Sequence, residues 1–140
     1  MLGTTGIETI EIVRGIVDNT KPKLVIAIDS LCSKNIDRIN KSIQISDTGI
    51  IPGGGVGNRQ EELSEETLGV PVIGVGIPTV LDAATIVIDT LKNCEVNVSE
   101  NEIVEKMKLN NFNFVVTPKE IDSLIENMVL LVSEGINSAL

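Results

Sequence analysis

Apolar residues recur along this chain in two alternating rhythms. Ile7, Ile10, Val13, Ile16 and Val17 fall at helical spacing, and Thr5-Gly6-Ile7-Glu8 ahead of them reads as a capping box. The pattern predicts a helix over 5–19, stopping before Pro22. Leu24 to Ile28 is a run without alternation, the signature of a strand buried on both faces. A helical turn is predicted over 33–38. Ser42 to Ser46 alternates, so it reads as a strand with Ile43 and Ile45 on one face. After a Gly-rich loop over 47–60, Ser64 to Leu68 suits a helical turn and Val72 to Ile77 a strand. Thr79-Val80-Leu81-Asp82 predicts a helix start, with the helix running to about Lys92. The polar, acidic stretch 95–102 is the expected mobile insert. A weak helix over 100–109, a strand over 112–116 and a long helix to about Ser138 complete the series. Thr117-Pro118-Lys119-Glu120 marks the last helix's start, with Thr at the cap and Pro at the first turn. No internal repeat is evident.

Strands alternating with helices predict an α/β domain in three layers, α/β/α, around a mostly parallel sheet. The 140 residues suit one such domain. One feature is odd. The opening helix suits a crossover between two parallel strands, yet no strand precedes it. Either the sheet starts late or the chain is a piece of a longer protein.

Composition narrows the chemistry. The chain is 42% apolar, but Phe112 and Phe114 are its only aromatic residues, so the core must be Ile, Val, Leu and Ala. No apolar run is long enough for a membrane span. The net charge of −9 argues against a nucleic-acid surface, which wants Lys and Arg. Cys32 and Cys94 are isolated, and a reduced, cytoplasmic location is the simplest expectation. The chain has no histidine, which excludes within it a Ser-His-Asp triad, a Cys-His dyad and His-containing zinc sites. Cys32 has no evident base beside it and reads as an ordinary buried thiol.

Two features remain. Pro52-Gly53-Gly54-Gly55-Val56-Gly57-Asn58 holds four glycines in five residues. It lacks the Gly-Lys-Ser/Thr of a phosphate loop and misses the dinucleotide spacing, as does Gly74-Val75-Gly76-Ile77-Pro78-Thr79. It reads either as a surface turn or as the wall of a cleft at the strand ends. The second feature is Asp29, directly after the apolar strand, where open α/β sheets place ligands. It could cap a helix. As chemistry, a lone carboxylate is incomplete, because an acid-protease site needs one ionised and one protonated carboxyl. Asp47 and Asp82 could share its rim, but Asp47 also suits a turn and Asp82 the positive end of a helix.

The stretches Gly3-Thr4-Thr5-Gly6-Ile7-Glu8-Thr9, Val25-Ile26-Ala27-Ile28-Asp29-Ser30-Leu31, Ile43-Gln44-Ile45-Ser46-Asp47-Thr48-Gly49-Ile50, the glycine loop, Glu66-Thr67-Leu68-Gly69-Val70-Pro71-Val72-Ile73 and Thr117-Pro118-Lys119-Glu120-Ile121-Asp122 resemble the germination proteases of spore-forming bacteria. The resemblance covers essentially the whole chain. It implies the α/β/α sandwich of hydrogenase-maturation endopeptidases. It implies a zymogen that matures by losing a propeptide, a homotetramer, and a location in the spore cytoplasm. It implies cleavage of small acid-soluble spore proteins during germination by a pair of aspartates, with no cofactor or metal. One of the pair maps onto Asp29. The other belongs to an upstream Gly-, Asn- and Pro-containing segment that this chain does not include, nor does it include the propeptide. Ser30 stands where alanine is common in the family. The competing expectation is a non-enzymatic α/β domain that uses its two Gly-rich loops to bind a phosphate compound.

Overall fold

The computed structural model describes residues 7–54, 60–112 and 114–140. The chain is α/β, with a mixed sheet and five α-helices among these residues. It divides into two compact units. One holds the residues up to Leu31 together with Ile43–Ile77, and the other holds Cys32–Ser42 together with Pro78–Leu140. The division falls inside two long strands.

In the first unit, helix α1 spans Thr9–Thr20. Ile10 and Val17 form its buried stripe. Its start lies later than the sequence pattern suggests. Glu8 is the cap, and its N–H donates to Glu11 Oε2 at 3.0 Å. The expected partner Thr5 lies outside the described residues. The helix ends where Lys21 turns left-handed (φ 47°), its N–H donating to the Val17 carbonyl at 2.8 Å, just before Pro22.

Strand β1 spans Val25–Ser33, β2 spans Gln44–Ser46 and β3 spans Val72–Asp82, in the order β1-β3-β2. β2 runs antiparallel to β3, with Ile45 opposite Val75. Two expectations about β1 need correction. It is nearly twice the predicted length, and it is not covered on both faces, since Ile28 is 54% exposed. A run of β-branched residues favours extended backbone whether or not it is buried. The strand continues past the polar Asp29-Ser30 pair through Leu31 and Cys32 to Ser33. Ile45 is likewise open, at 73%.

A short helix, α2 (Glu65–Leu68), follows the glycine loop. It is capped at Ser64, whose N–H donates to Thr67 Oγ1, and closed by left-handed Gly69. The core of this unit is Ile10, Leu63, Leu68 and Val72, with Val13, Val25, Ala27, Ile50 and Val70 packed against it. Each side chain fully buried there contributes about 1.5–3 kcal/mol. Ile50 and Leu63 exchange both backbone hydrogen bonds, at 3.0 and 2.8 Å, and so pin the two ends of the loop together. Gly49, at φ 111°, makes that closure possible, since a Cβ there would strike the Leu63 carbonyl oxygen and approach Ser64 Cβ to 2.9 Å.

In the second unit, a 3₁₀ turn at Ile36–Arg38 is capped by Asn35 Oδ1, which accepts from the Asp37 N–H. The end of β3 pairs antiparallel with β4 (Val115–Val116), Leu81 opposite Val116. Helix α3 (Ala83–Asn93) starts at Asp82, whose Oδ1 accepts from the Ala84 N–H at 2.9 Å. Thr79-Val80-Leu81, expected to open this helix, instead continues the strand, as β-branched residues favour. Helix α4 (Glu100–Leu109) occupies the predicted span. It takes in the last three residues of the stretch expected to be a mobile insert. Lys92 Nζ on α3 meets Glu100 Oε1 on α4 at 2.6 Å, and the two helices pack together. Helix α5 spans Ile121–Ala139, capped at Glu120 rather than Thr117. Thr117 is engaged elsewhere, donating its hydroxyl to the Thr79 carbonyl at 3.1 Å, so the helix begins one turn later. Among the described residues no helix is long and apolar enough to cross a membrane.

Cys32 is half-buried and Cys94 exposed, both as free thiols. Burial, and then the charge of the Asp82 carboxylate, push the Cys32 thiol above its ordinary range.

Two tests follow from this packing. Gly49→Ala should lower stability to urea by about 2–3 kcal/mol, from left-handed strain and the clash at Leu63. A loss under about 0.5 kcal/mol would mean that the loop base is not rigid. The raised Cys32 pKa leaves less thiolate at neutral pH, so iodoacetamide should alkylate Cys94 first and reach Cys32 at a comparable rate only in denaturant. Equal rates in the native protein would contradict the burial of Cys32.

Candidate functional site

A groove of ≈480 Å³ runs through the first unit between α1, β1 and the base of the glycine loop. Its floor is aliphatic, with Val13, Val25, Ala27, Ile50 and Leu63 among its residues. Leu63 belongs to the unit's buried core and the other four pack against it, so the packing that stabilises the unit also shapes the groove. Among the described residues, Asp29 is the one ionisable side chain in its wall.

Asp29 lies in the middle of β1, the fifth of its nine residues, and not past the strand's end as the sequence suggested. Nor does it cap a helix. Both oxygens of its carboxylate accept backbone N–H groups. Oδ1 takes the amide of Ser30 at 2.8 Å, and Oδ2 takes the amide of Gly53 at 2.8 Å. The first donor is its own chain neighbour. The second comes from the glycine loop, 24 residues along, and fixes the plane of the carboxylate. Residues 51–54 form a turn closed by the Gly54 N–H on the Ile51 carbonyl at 3.1 Å. The loop that the sequence marked as a possible cleft wall does therefore reach the strand-borne carboxylate, through Gly53.

The other candidates fall differently. Gly54 serves the turn. Gly55, Gly57 and Asn58 lie outside the described residues. Asp47 is exposed and is not part of the groove. The turn beside it is built by Ser46, whose Oγ lies 2.7 Å from Thr48 Oγ1 and accepts the Thr48 N–H at 3.1 Å. Asp82 belongs to the second unit, where its carboxylate caps α3.

Two groove residues escape sequence reasoning altogether. Thr9 Oγ1 donates to Gln60 Oε1 at 3.2 Å, tying the first turn of α1 to the far arm of the loop. The two stand 51 positions apart, and nothing in their local sequence signals the pairing. Pro52 could have been found, because Pro-Gly is the signature of a turn with a left-handed third residue.

Chemically, the groove offers an aliphatic bed for an extended chain and one oriented carboxylate. That carboxylate could take a proton from water or hold a polar group of a ligand. It could not act as acid and base in one step.

Comparison with known proteins bears on which of these applies. The family profile described as germination protease matches residues 1–106. The germination protease of Caldanaerobacter subterraneus subsp. tengcongensis is 48% identical, over 100% of this chain and 50% of its own length. That of Clostridium tetani is 42% identical over 100% of this chain and 50% of its own. That of Bacillus cytotoxicus is 40% identical over 100% of this chain and 52% of its own. The chain spans about half the length of these curated relatives. Matched across its full length by proteins of one kind, the chain belongs to the germination protease family.

Proposed function

We propose that this chain supplies the Asp29 half of an aspartate pair in an endopeptidase that degrades small acid-soluble spore proteins during germination. The observation that carries the reading is the carboxylate itself. Among the described residues it is the one ionisable group in the wall of an aliphatic groove, and two neutral backbone amides orient it. In such a pair, one ionised carboxyl takes a proton from water as the oxygen attacks the peptide carbonyl. The other, protonated, donates to the substrate. Asp29 supplies one carboxyl, and the second comes from residues outside this chain. The proposal carries with it the family's three-layer sandwich, zymogen state, homotetramer and place in the spore cytoplasm. The alternative, a phosphate-binding domain, finds little support. The described groove wall holds an anion and no Lys or Arg, a poor setting for a phosphate.

Two measurements test the proposal. In a full-length protease containing this chain, Asp29→Asn should cut hydrolysis of a small acid-soluble spore protein by about 10²–10⁴-fold, with the circular dichroism spectrum unchanged. A folded variant with full activity would remove Asp29 from the mechanism. The 140-residue chain alone should hydrolyse the same substrate at background rate. Turnover matching the full-length enzyme would place the second carboxyl inside this chain.

A further inference from the structure

We propose that the Pro52–Gly53 peptide is a positioning element that orients the Asp29 carboxylate for turnover, and that the handedness of residue 53 controls it. The inference rests on the reading of Asp29 as a catalytic carboxylate.

The geometry behind it is local. Residues 51–54 close a β-turn through the Gly54 N–H and the Ile51 carbonyl, at 3.1 Å. The ring of Pro52 fixes φ near −65° at the second position. Gly53 sits at φ 64° at the third. A negative φ followed by a positive one defines a type II turn. Types I and II share the same closing hydrogen bond. They differ in the central peptide, which turns over as ψ at the second position changes from about +120° to about −30°.

In this turn the central peptide consists of the Pro52 carbonyl and the Gly53 N–H. That N–H is the group 2.8 Å from Asp29 Oδ2. If the peptide turned over, it would carry the Pro52 carbonyl toward the carboxylate and take the donor away. The orientation of Asp29 therefore depends on residue 53 keeping a positive φ, which glycine adopts freely and an L-residue with a Cβ resists. The two ends of the loop are held independently of this turn. The Ile50–Leu63 exchange pins its base, and the Thr9–Gln60 bond holds its far arm. A change of turn type at 53 can thus misplace the carboxylate without releasing the loop.

Chirality provides the test. Gly53→Ala favours the type I turn, whereas D-alanine, introduced at position 53 by semisynthesis, prefers positive φ and keeps the type II turn. In the 140-residue chain, the residue-53 amide should exchange slowly and its proton shift should move on Asp29→Asn. Both features should vanish in Gly53→Ala and persist with D-alanine. In the full-length protease, Gly53→Ala should lower kcat by about 10–100-fold with KM nearly unchanged, as expected for a misplaced catalytic group, and D-alanine should restore it. Unchanged kcat in Gly53→Ala, or equal loss with both alanines, would overturn the inference. The Asp29→Asn enzyme separates the two levels. If it is inactive while Gly53→Ala is not slowed, the positioning role fails alone. If it is active, the catalytic reading fails, and the positioning role in turnover with it.

Discussion

The reciprocal pair of backbone hydrogen bonds between Ile50 and Leu63 is the contact on which the first unit depends. It brings together the two ends of a glycine-rich segment, a closure whose entropic cost the contact has to offset. The same pair places Leu63 in the core beside Ile10, Leu68 and Val72, and brings Ile50 against that core. Both side chains then form part of the groove floor. Core, loop and groove thus share one short antiparallel contact. The turn that meets Asp29 begins one residue beyond Ile50, so its reach to the strand is set by how tightly that base is closed.

How much of the fold could be read from the sequence depended on whether local or distant forces set each element. Helix α4 occupies its predicted span because its amphipathic spacing and its acidic start and basic end all agree. The short helix at 65–68 was also legible, from Ser64 in front and Gly69 behind. The errors lie where two signals compete for the same residues. Thr79 and Thr117 both looked like helix caps. In the structure both belong to the β3–β4 region, and the hydroxyl of Thr117 is bonded to the carbonyl of Thr79. A threonine ahead of a polar turn is a good cap and also a good strand residue, and only the partner strand decides. Asp82, three residues beyond Thr79, takes the cap because the strand runs on as far as it, and its Oδ1 accepts the Ala84 N–H.

The site was legible to a similar degree. An apolar run ending in aspartate marked Asp29, and a dense glycine segment marked the loop. Their meeting through Gly53 could not be deduced, because it depends on the Gly49 closure and on a turn type that only coordinates reveal. The reading of β1 failed for a different reason. An unalternating apolar run suggests burial on both faces, yet the run here reflects extended-backbone preference, and Ile28 stands open. Thr9 and Gln60 carry no signature because their pairing is purely tertiary.

The way Asp29 is held bears on what it can do. In a chain of net charge −9, cations are few, and the ion pairs among the described residues involve Arg14, Lys92 and Lys106, none of them with Asp29. A guanidinium beside Asp29 would have fixed its geometry and also cancelled its charge. Two backbone amides fix the geometry without cancelling it. They are parts of a strand and a turn and cannot swing away as a long side chain can. The aliphatic floor adds a surface that holds water weakly, so among the described residues Asp29 is the charged group that a polar ligand entering the groove would meet. Orientation thus comes from the backbone and the aliphatic surround from the core, and both rest on the same packing that closes the loop.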